Sequence, residues 1–314
     1  MLNRRYLRIK VMQALYAFFQ AENSDLAKSE RELQRSIDRI YDLYIYLLLL
    51  FEEFQRLTVQ QTEDGRLKHL PTEADLDPNF RFINNRVIKQ LAADPRLKRE
   101  GEVRSLSWQV DGAVVRKVWN AVKSWDKYGL YMNSPEDSYE KDRDFLVDLF
   151  SKHVADSDEM ELHIEEKSLY WPGDMNMCVA AAVIRTIEGG REDSPPRLAS
   201  LYKDADDDRR FLVELFRKTI IDNERSQKLI GDKTQNWEVD RIAIMDILLM
   251  KMAVTELLHF HEVPVKVTLN EYIEISKLYS TPKSSVFING ILDKLVADFR
   301  TDGSMVKTGR GLME

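Results

Sequence analysis

A repeated segment constrains the fold of this 314-residue chain more than any other feature. The sequence DRDFLVDLFSK, from Asp142 to Lys152, returns at Asp208 to Lys218 as DRRFLVELFRK. The register continues without a gap, so that Lys167 matches Lys233, Trp171 matches Trp237 and Asp174 matches Asp240. Apolar stretches follow both copies. A tryptophan in register beyond an intervening loop indicates a duplicated helical hairpin, so we expect 142–188 and 208–254 to fold alike.

Composition and periodicity predict an all-α protein. Leu, Glu, Lys, Arg and Met are plentiful, whereas there are only 12 Gly and 9 Pro, which favours helices over strands. Helical periodicity appears at 4–19, 30–60, 114–128 and 242–260, then after Pro264, and from Thr281-Pro282 to about Phe299. Four stretches interrupt it, at 61–80, 94–101, 128–137 and 189–196.

Charge, cysteine content and hydropathy exclude several classes of protein. The net charge of -7 excludes a chain that coats nucleic acid over its whole surface, although a local basic patch remains compatible with it. Cys178 is the only cysteine, so an intramolecular disulfide and a thiolate zinc site are excluded. The longest apolar run, 43–51, is too short to span a bilayer, which needs about 20 residues. Without a recognisable secretory signal, we expect a cytoplasmic protein.

No pattern of a catalytic, cofactor or metal site is recognisable. A phosphate-binding glycine loop is missing, and His259 and His261 are two residues apart, so they diverge on a helix. The acidic residues at 204 and 206–208 precede a helix and suit its N-terminal cap. We therefore predict that the chain is not an enzyme and uses neither a cofactor nor a metal.

A basic cluster begins the chain. Arg4, Arg5, Arg8 and Lys10 occur with no acidic residue before Glu22. Arg4 and Arg8 are one helical turn apart, and the positive end of the helix dipole lies beside them. Planar guanidinium groups in this arrangement are typical of a segment that contacts RNA phosphates and bases. A solvated face, or contact with a membrane surface, is the alternative.

Three acidic residues in the C-terminal third differ in their expected roles. Asp246 lies on an otherwise apolar side of the 242–260 helix, so it is either hydrogen-bonded internally or faces another molecule. Glu256 falls on the polar arc of the same helix. Glu271 ends Thr268-Leu-Asn-Glu, the spacing of a capping box, which predicts a structural role.

Both ends of the chain resemble the NusB family. The opening RRYLRIKVMQALY, from Arg4 to Tyr16, is similar to the family's first helix. AVTEL at 253–257, VPVKVTLNE at 263–271 and VFINGILDK at 286–294 resemble its C-terminal signature in order and spacing. The sequence departs from the family pattern at Tyr6, where arginine is frequent, and at Lys283, where an acidic residue is common.

The resemblance implies an RNA-binding factor of transcription antitermination. Such proteins bind single-stranded boxA RNA in nascent ribosomal transcripts, together with the small-subunit ribosomal protein NusE, on elongating RNA polymerase. By position, the RNA contacts implied are Arg4, Arg5, Arg8, Gln13, Tyr16 and Phe287. Phe287 equally suits core packing. Asp246 matches an acidic family position near the protein partner.

The resemblance also implies a domain organisation. We expect an N-terminal RNA-binding helix at 1–20, a helical insertion at 21–207, a C-terminal bundle at 208–300 and a flexible tail at 301–314. Two other functions are weighed against RNA binding. A helical scaffold without RNA binding is one of them. The other is an RNA methyltransferase fused to a module of this family, which requires an α/β cofactor domain within the insertion.

Overall fold

The computed structural model describes residues 1–21, 25–234 and 242–312. Over these ranges the chain is helical and contains no strand, and a single isolated bridge joins Arg191 to Ser194. The all-α prediction is therefore confirmed. The α/β domain that a methyltransferase requires is not found between residues 25 and 207. Among the described residues, no helix is both long enough and apolar enough to cross a membrane.

The fold consists of fifteen α-helices within the described ranges, two of them continuous with a π-helical turn. In chain order they are α1 (Arg4–Gln20), α2 (Leu26–Arg66), α3 (Glu73–Leu76), α4 (Arg86–Ala93), α5 (Pro95–Val103), α6 (Gly112–Lys123), α7 (Asp126–Met132), α8 (Tyr139–Phe150), α9 (Asp158–Lys167), α10 (Ala180–Glu188), α11 (Ala205–Ile221), α12 (Asn223–Lys233), α13 (Ile244–His259), α14 (Val265–Tyr279) and α15 (Ser284–Thr301). The π-helical turns Ser151–Ala155 and Met175–Val179 extend α8 and precede α10.

The helices form two compact units. The terminal unit contains residues 2–36 and 202–314, and the insertion unit contains Met1 and residues 37–201. The sequence predicts an insertion at 21–207, whereas in the structure the insertion unit begins at Ile37 and ends at Leu201, apart from Met1. The difference arises because the first residues of α2 pack within the terminal unit, where Arg217 of α11 pairs with Glu30.

The insertion unit has an aromatic core around Trp119 of α6. This side chain is fully buried, with ring centroids 5.3 Å from Phe54 and 4.5 Å from Phe82. The predicted 114–128 helix is interrupted at Ser124, where α6 ends. The interruption predicted at 94–101 is wrong, because Asp94 caps α5 and Pro95 occupies its first position, where its missing N–H costs nothing.

The duplicated segments contain the same helices in the same order. The α8, α9 and α10 helices of the insertion unit correspond to α11, α12 and α13 of the terminal unit. Each copy thus has three helices, not the two of a hairpin. Phe145, Leu146, Leu149 and Phe150 are buried, and so are their equivalents Phe211, Leu212, Leu215 and Phe216. Trp171 is buried as well, while Trp237 and Asp240 lie outside the described residues.

The α13 helix forms the centre of the terminal unit. It packs against α1, α11, α12, α14 and α15. Leu249, Met250 and Leu257 are fully buried, as the nearly continuous apolar sequence predicts. Two polar residues of this helix are buried too, Thr255 at 1% and Glu256 at 0% exposure, although helical spacing places Glu256 on the polar arc.

Candidate nucleic-acid interface

A groove with a volume of about 1230 Å³ runs along the N-terminal half of α1 in the terminal unit. Its walls come from the start of α11 and from the turn between α13 and α14. The three predicted arginines of α1 line it together with Phe211, Phe260, His261, Glu271 and Thr308. The fold thus brings Arg4, Arg5 and Arg8 into one site, where each has a different environment.

Arg8 is a buried structural residue at the floor of this groove. Only 2% of its side chain is exposed, and its Nε and Nη2 donate to the Glu256 carboxylate at 2.8 and 2.6 Å. Thr268 and Tyr272 donate their hydroxyl protons to the same carboxylate, at 2.9 and 3.1 Å. The groups that donate hydrogen bonds to Glu256 therefore all belong to the terminal unit itself. The Arg8 guanidinium faces the core rather than the groove opening.

This network keeps the Arg8 guanidinium protonated. Burial alone would lower the pKa of the guanidinium, but the charge of Glu256 and the hydrogen bonds to it outweigh burial, so the pKa lies above its ordinary value. Burial and the negative charge of Glu256 also raise the pKa of Tyr272. With 2% of its side chain exposed, Arg8 is placed for a structural role and not for the predicted RNA contact.

Arg5 presents the most accessible guanidinium of the three. Its side chain is 41% exposed, and it makes a bidentate pair with Glu271 at 2.8 and 2.9 Å. Glu271 therefore does not complete a capping box. The capping prediction fails because α14 begins three residues earlier than Thr268, directly after Pro264, and Thr268 points its hydroxyl at Glu256.

Arg4 lies over an aromatic ring between two carboxylates. It pairs with Asp207 and with Asp208, the latter at 3.1 Å, and its guanidinium carbon is 4.2 Å from the centre of the Phe211 ring. The Phe260 ring packs edge-on against Phe211, with centroids 5.1 Å apart. Two aromatic side chains thus support the arginine from below.

The remaining predicted residues of α1 continue the exposed surface away from the groove. Gln13 is exposed and Tyr16 is 42% exposed. At 3.6 residues per turn, Arg5, Gln13 and Tyr16 share one side of the helix. Lys10, the fourth basic residue of the cluster, is buried instead. A cation, an amide and an aromatic ring therefore follow one another on an accessible face.

Asp246 and Phe287 lie on other helices of the terminal unit. Asp246 is 5% exposed and accepts hydrogen bonds from Ser280 at 2.5 Å and Ser284 at 2.8 Å. Of the two alternatives for this residue, the structure shows internal bonding. Phe287 is half-buried on α15, next to the buried Ile288.

Sequence reasoning missed the residues that hold the arginines in place. Glu256 lies in the AVTEL segment and Phe211 in the repeat, but neither pattern predicts a contact with an arginine, and Phe260 lies in no motif. Asp204 caps α11 as predicted, accepting from the Asp207 amide at 3.1 Å. Asp207 and Asp208 pair with Arg4 in addition, which helix capping alone does not predict.

Comparisons with known proteins find one family and several relatives that match this chain. The sequence profile described as the NusB family matches residues 190–297. A "Transcription antitermination protein NusB" of Salinibacter ruber is 43% identical over 127 residues, which cover 40% of this chain and 79% of that protein. No solved structure matches the chain.

Two further relatives carry the same name. The protein of Chloroherpeton thalassium is 41% identical over 104 residues, covering 33% of this chain and 49% of the relative. That of Syntrophotalea carbinolica is 40% identical over 87 residues, covering 28% and 56%. The chain thus spans about half the length of these two, and most of the first.

Proposed function

The chain belongs to the NusB family, and on that premise we propose that its terminal unit binds single-stranded boxA-type RNA of nascent ribosomal transcripts as a transcription antitermination factor. The role is one of binding, because the family is non-enzymatic. The observation that carries the proposal is the exposed face of α1, where Arg5, Gln13 and Tyr16 follow one another beside Arg4. Single-stranded RNA is recognised by this combination of cations, amides and stacking rings.

The charge distribution supports the terminal unit as the RNA-binding part. Residues 37–201 contain 22 Lys and Arg against 30 Asp and Glu, a net charge of -8. The remaining residues contain 24 against 23, a net charge of +1. The insertion unit therefore accounts for the net negative charge of the chain, and the terminal unit repels phosphates less than the insertion unit does.

When RNA binds at this face, its phosphates replace the carboxylates that pair with Arg4 and Arg5 in the free protein. Arg5 and Arg4 are held by Glu271 and by Asp207 and Asp208 in the free protein, at the partly exposed rim of the groove. Exposed ion pairs contribute only about 0–1 kcal/mol, so a phosphate with bidentate geometry can displace Glu271 and Asp207 at little cost. Asp208 is buried, but it keeps its hydrogen bonds from the amides of Lys203 and Asp204. Arg8 keeps its pair with Glu256 and supports the face from below.

We further propose that a NusE-type ribosomal protein binds with the RNA, within the RNA polymerase antitermination complex. Asp246 then has an indirect part in partner binding, because it holds Ser280 and Ser284 at either end of the exposed 281–283 turn. The exposed Val286 follows on the same helix start. Phe287 is proposed as a further RNA contact on the strength of its family position.

Binding of a labelled boxA-like RNA, measured by fluorescence anisotropy, tests the proposed function. The full chain should bind this RNA more tightly than a shuffled RNA of equal composition. A NusE-type protein should tighten binding about 5- to 150-fold, the range of a coupling free energy of about 1–3 kcal/mol. Equal affinity for both RNAs, with and without the partner, would favour a helical scaffold without RNA binding.

A further inference from the structure

The C-terminal segment 304–312 is docked on the terminal unit rather than loose, in contrast to the flexible tail that the sequence predicts from residue 301. The Thr308 amide donates to the His261 carbonyl at 2.9 Å, and His261 Nδ1 lies 2.5 Å from the Val306 carbonyl oxygen. Because a carbonyl only accepts, Nδ1 must carry the proton in this pair. The segment is thereby fixed to the turn between α13 and α14.

Gly311 permits the close approach of this segment to the turn. A Cβ atom at this position would lie 1.9 Å from the His261 carbonyl oxygen, which is backbone and cannot rotate away. Gly309, two residues earlier, has a φ of 53°, a left-handed conformation that favours glycine. Any side chain at 311 must therefore displace the segment from His261.

Lys307 binds the C-terminal end of α13. Its Nζ donates to the carbonyl oxygens of Phe260 at 3.0 Å and Glu256 at 3.5 Å. A cation is favourable at this negative end of a helix dipole. Burial lowers the pKa of the Lys307 ammonium to about 8, so the group is still mostly protonated at neutral pH.

A continuous set of contacts joins the docked segment to Arg4. Lys307 holds the backbone of Phe260, the Phe260 ring packs on Phe211, and Phe211 lies under the Arg4 guanidinium. Thr308 itself lines the groove that also contains Arg4, Arg5 and Arg8. The segment is therefore both a wall of the groove and a support for its aromatic floor.

We infer that the C-terminal segment 304–312 is a positioning element of the RNA site, and that RNA binding requires it to be docked on the α13–α14 turn. The inference rests on the proposed function. Lys307 directs its ammonium at helix carbonyls, so the part of the segment that it fixes acts through Phe260 and Phe211 and not through a phosphate contact of this lysine. It keeps the groove preorganised, so undocking lowers the fraction of molecules that can bind RNA.

The test compares two identical substitutions, Gly311→Ala and Gly290→Ala. The first places a methyl group against the His261 carbonyl, whereas a Cβ at Gly290, in α15, meets nothing within 4 Å. Hydrogen exchange of peptides containing Thr308 reports undocking independently of RNA. If Gly311→Ala leaves the segment protected, Lys307→Met is added to it. An undocked population of about nine-tenths should raise the apparent Kd for the boxA-like RNA about tenfold.

The salt dependence of binding separates positioning from direct contact. The undocked variant should keep the slope of log K against log salt, while Gly290→Ala should leave both affinity and slope unchanged. A slope reduced by about 0.7 would mean a lost phosphate contact and would contradict the positioning role. If the unaltered chain binds the RNA and the undocked variant binds it equally well, the inference is wrong. If the unaltered chain binds no RNA, the proposed function itself fails.

Discussion

Replacing Arg8 with methionine should lower the free energy of unfolding of the terminal unit by about 3–5 kcal/mol. The substitution leaves the Glu256 carboxylate fully buried, with only the hydroxyls of Thr268 and Tyr272 as donors. A buried charge without its counterion costs far more than the pair contributed, because desolvation is no longer offset. This effect should exceed that of any other α1 arginine.

Hydrogen exchange in increasing urea, read on peptides from α1, α13 and α14, measures the loss for this unit alone. Arg5→Met is the matched control, since Arg5 is 41% exposed and its pair with Glu271 contributes about 1 kcal/mol or less. Arg8→Met/Glu256→Leu should recover much of the stability, because it removes both charges. Equal destabilisation by Arg8→Met and Arg5→Met would contradict the structural role assigned to Arg8.

A second large effect is expected in the repeat, in which Asp142 and Asp208 occupy equivalent positions. Asp142→Ala should destabilise the insertion unit by about 3 kcal/mol, because it removes the acceptor of several buried or partly buried donors. The Asp142 carboxylate is 3% exposed and accepts from the Tyr131 hydroxyl at 2.9 Å and from the amide and Nη1 of Arg86, both at 3.0 Å. Tyr131 is itself 6% exposed.

Asp208→Ala, the equivalent change in the other copy, should cost only about 1 kcal/mol. Asp208 accepts from the amides of Lys203 and Asp204, which lie near the surface, and Arg4 retains Asp207 when it is removed. The same exchange experiment, read on peptides from α8 and α11, compares the two. A larger loss of unfolding free energy for Asp208→Ala than for Asp142→Ala would contradict the different roles that the structure gives these two carboxylates.

Much of the fold follows from local sequence patterns. The repeat predicts that 142–188 and 208–254 contain the same helices, because the same apolar positions are buried in both, although it does not predict three helices in each copy. Pro95 was misread, since a proline at the first position of a helix is indistinguishable from a breaker unless its capping residue is considered. The boundary at Ile37 was unpredictable, because α2 continues through it without a change in periodicity.

The site was predictable in outline but not in its burial. The basic N-terminus singles out the three arginines that line one groove, yet the sequence does not distinguish Arg8 from Arg5. Their difference depends on Glu256, which lies 248 positions from Arg8 along the chain. Helical spacing placed Glu256 on a polar arc, and only the packing of α1 and α14 around α13 encloses it. Long-range partners of this kind leave no local signal.

The salt dependence of boxA-like RNA binding tests the central claim most directly. For single strands, each phosphate contact contributes about 0.7 to the slope of log K against log salt. If Arg4 and Arg5 each contact one phosphate, Arg4→Ala/Arg5→Ala should lose about 1.4 from the slope while the helical signal is retained. The control is Arg35→Ala/Arg217→Ala, which removes two exposed arginines from ion pairs elsewhere in the terminal unit and should leave the slope unchanged. A folded Arg4→Ala/Arg5→Ala protein with the affinity and slope of the unaltered chain would contradict RNA binding at α1.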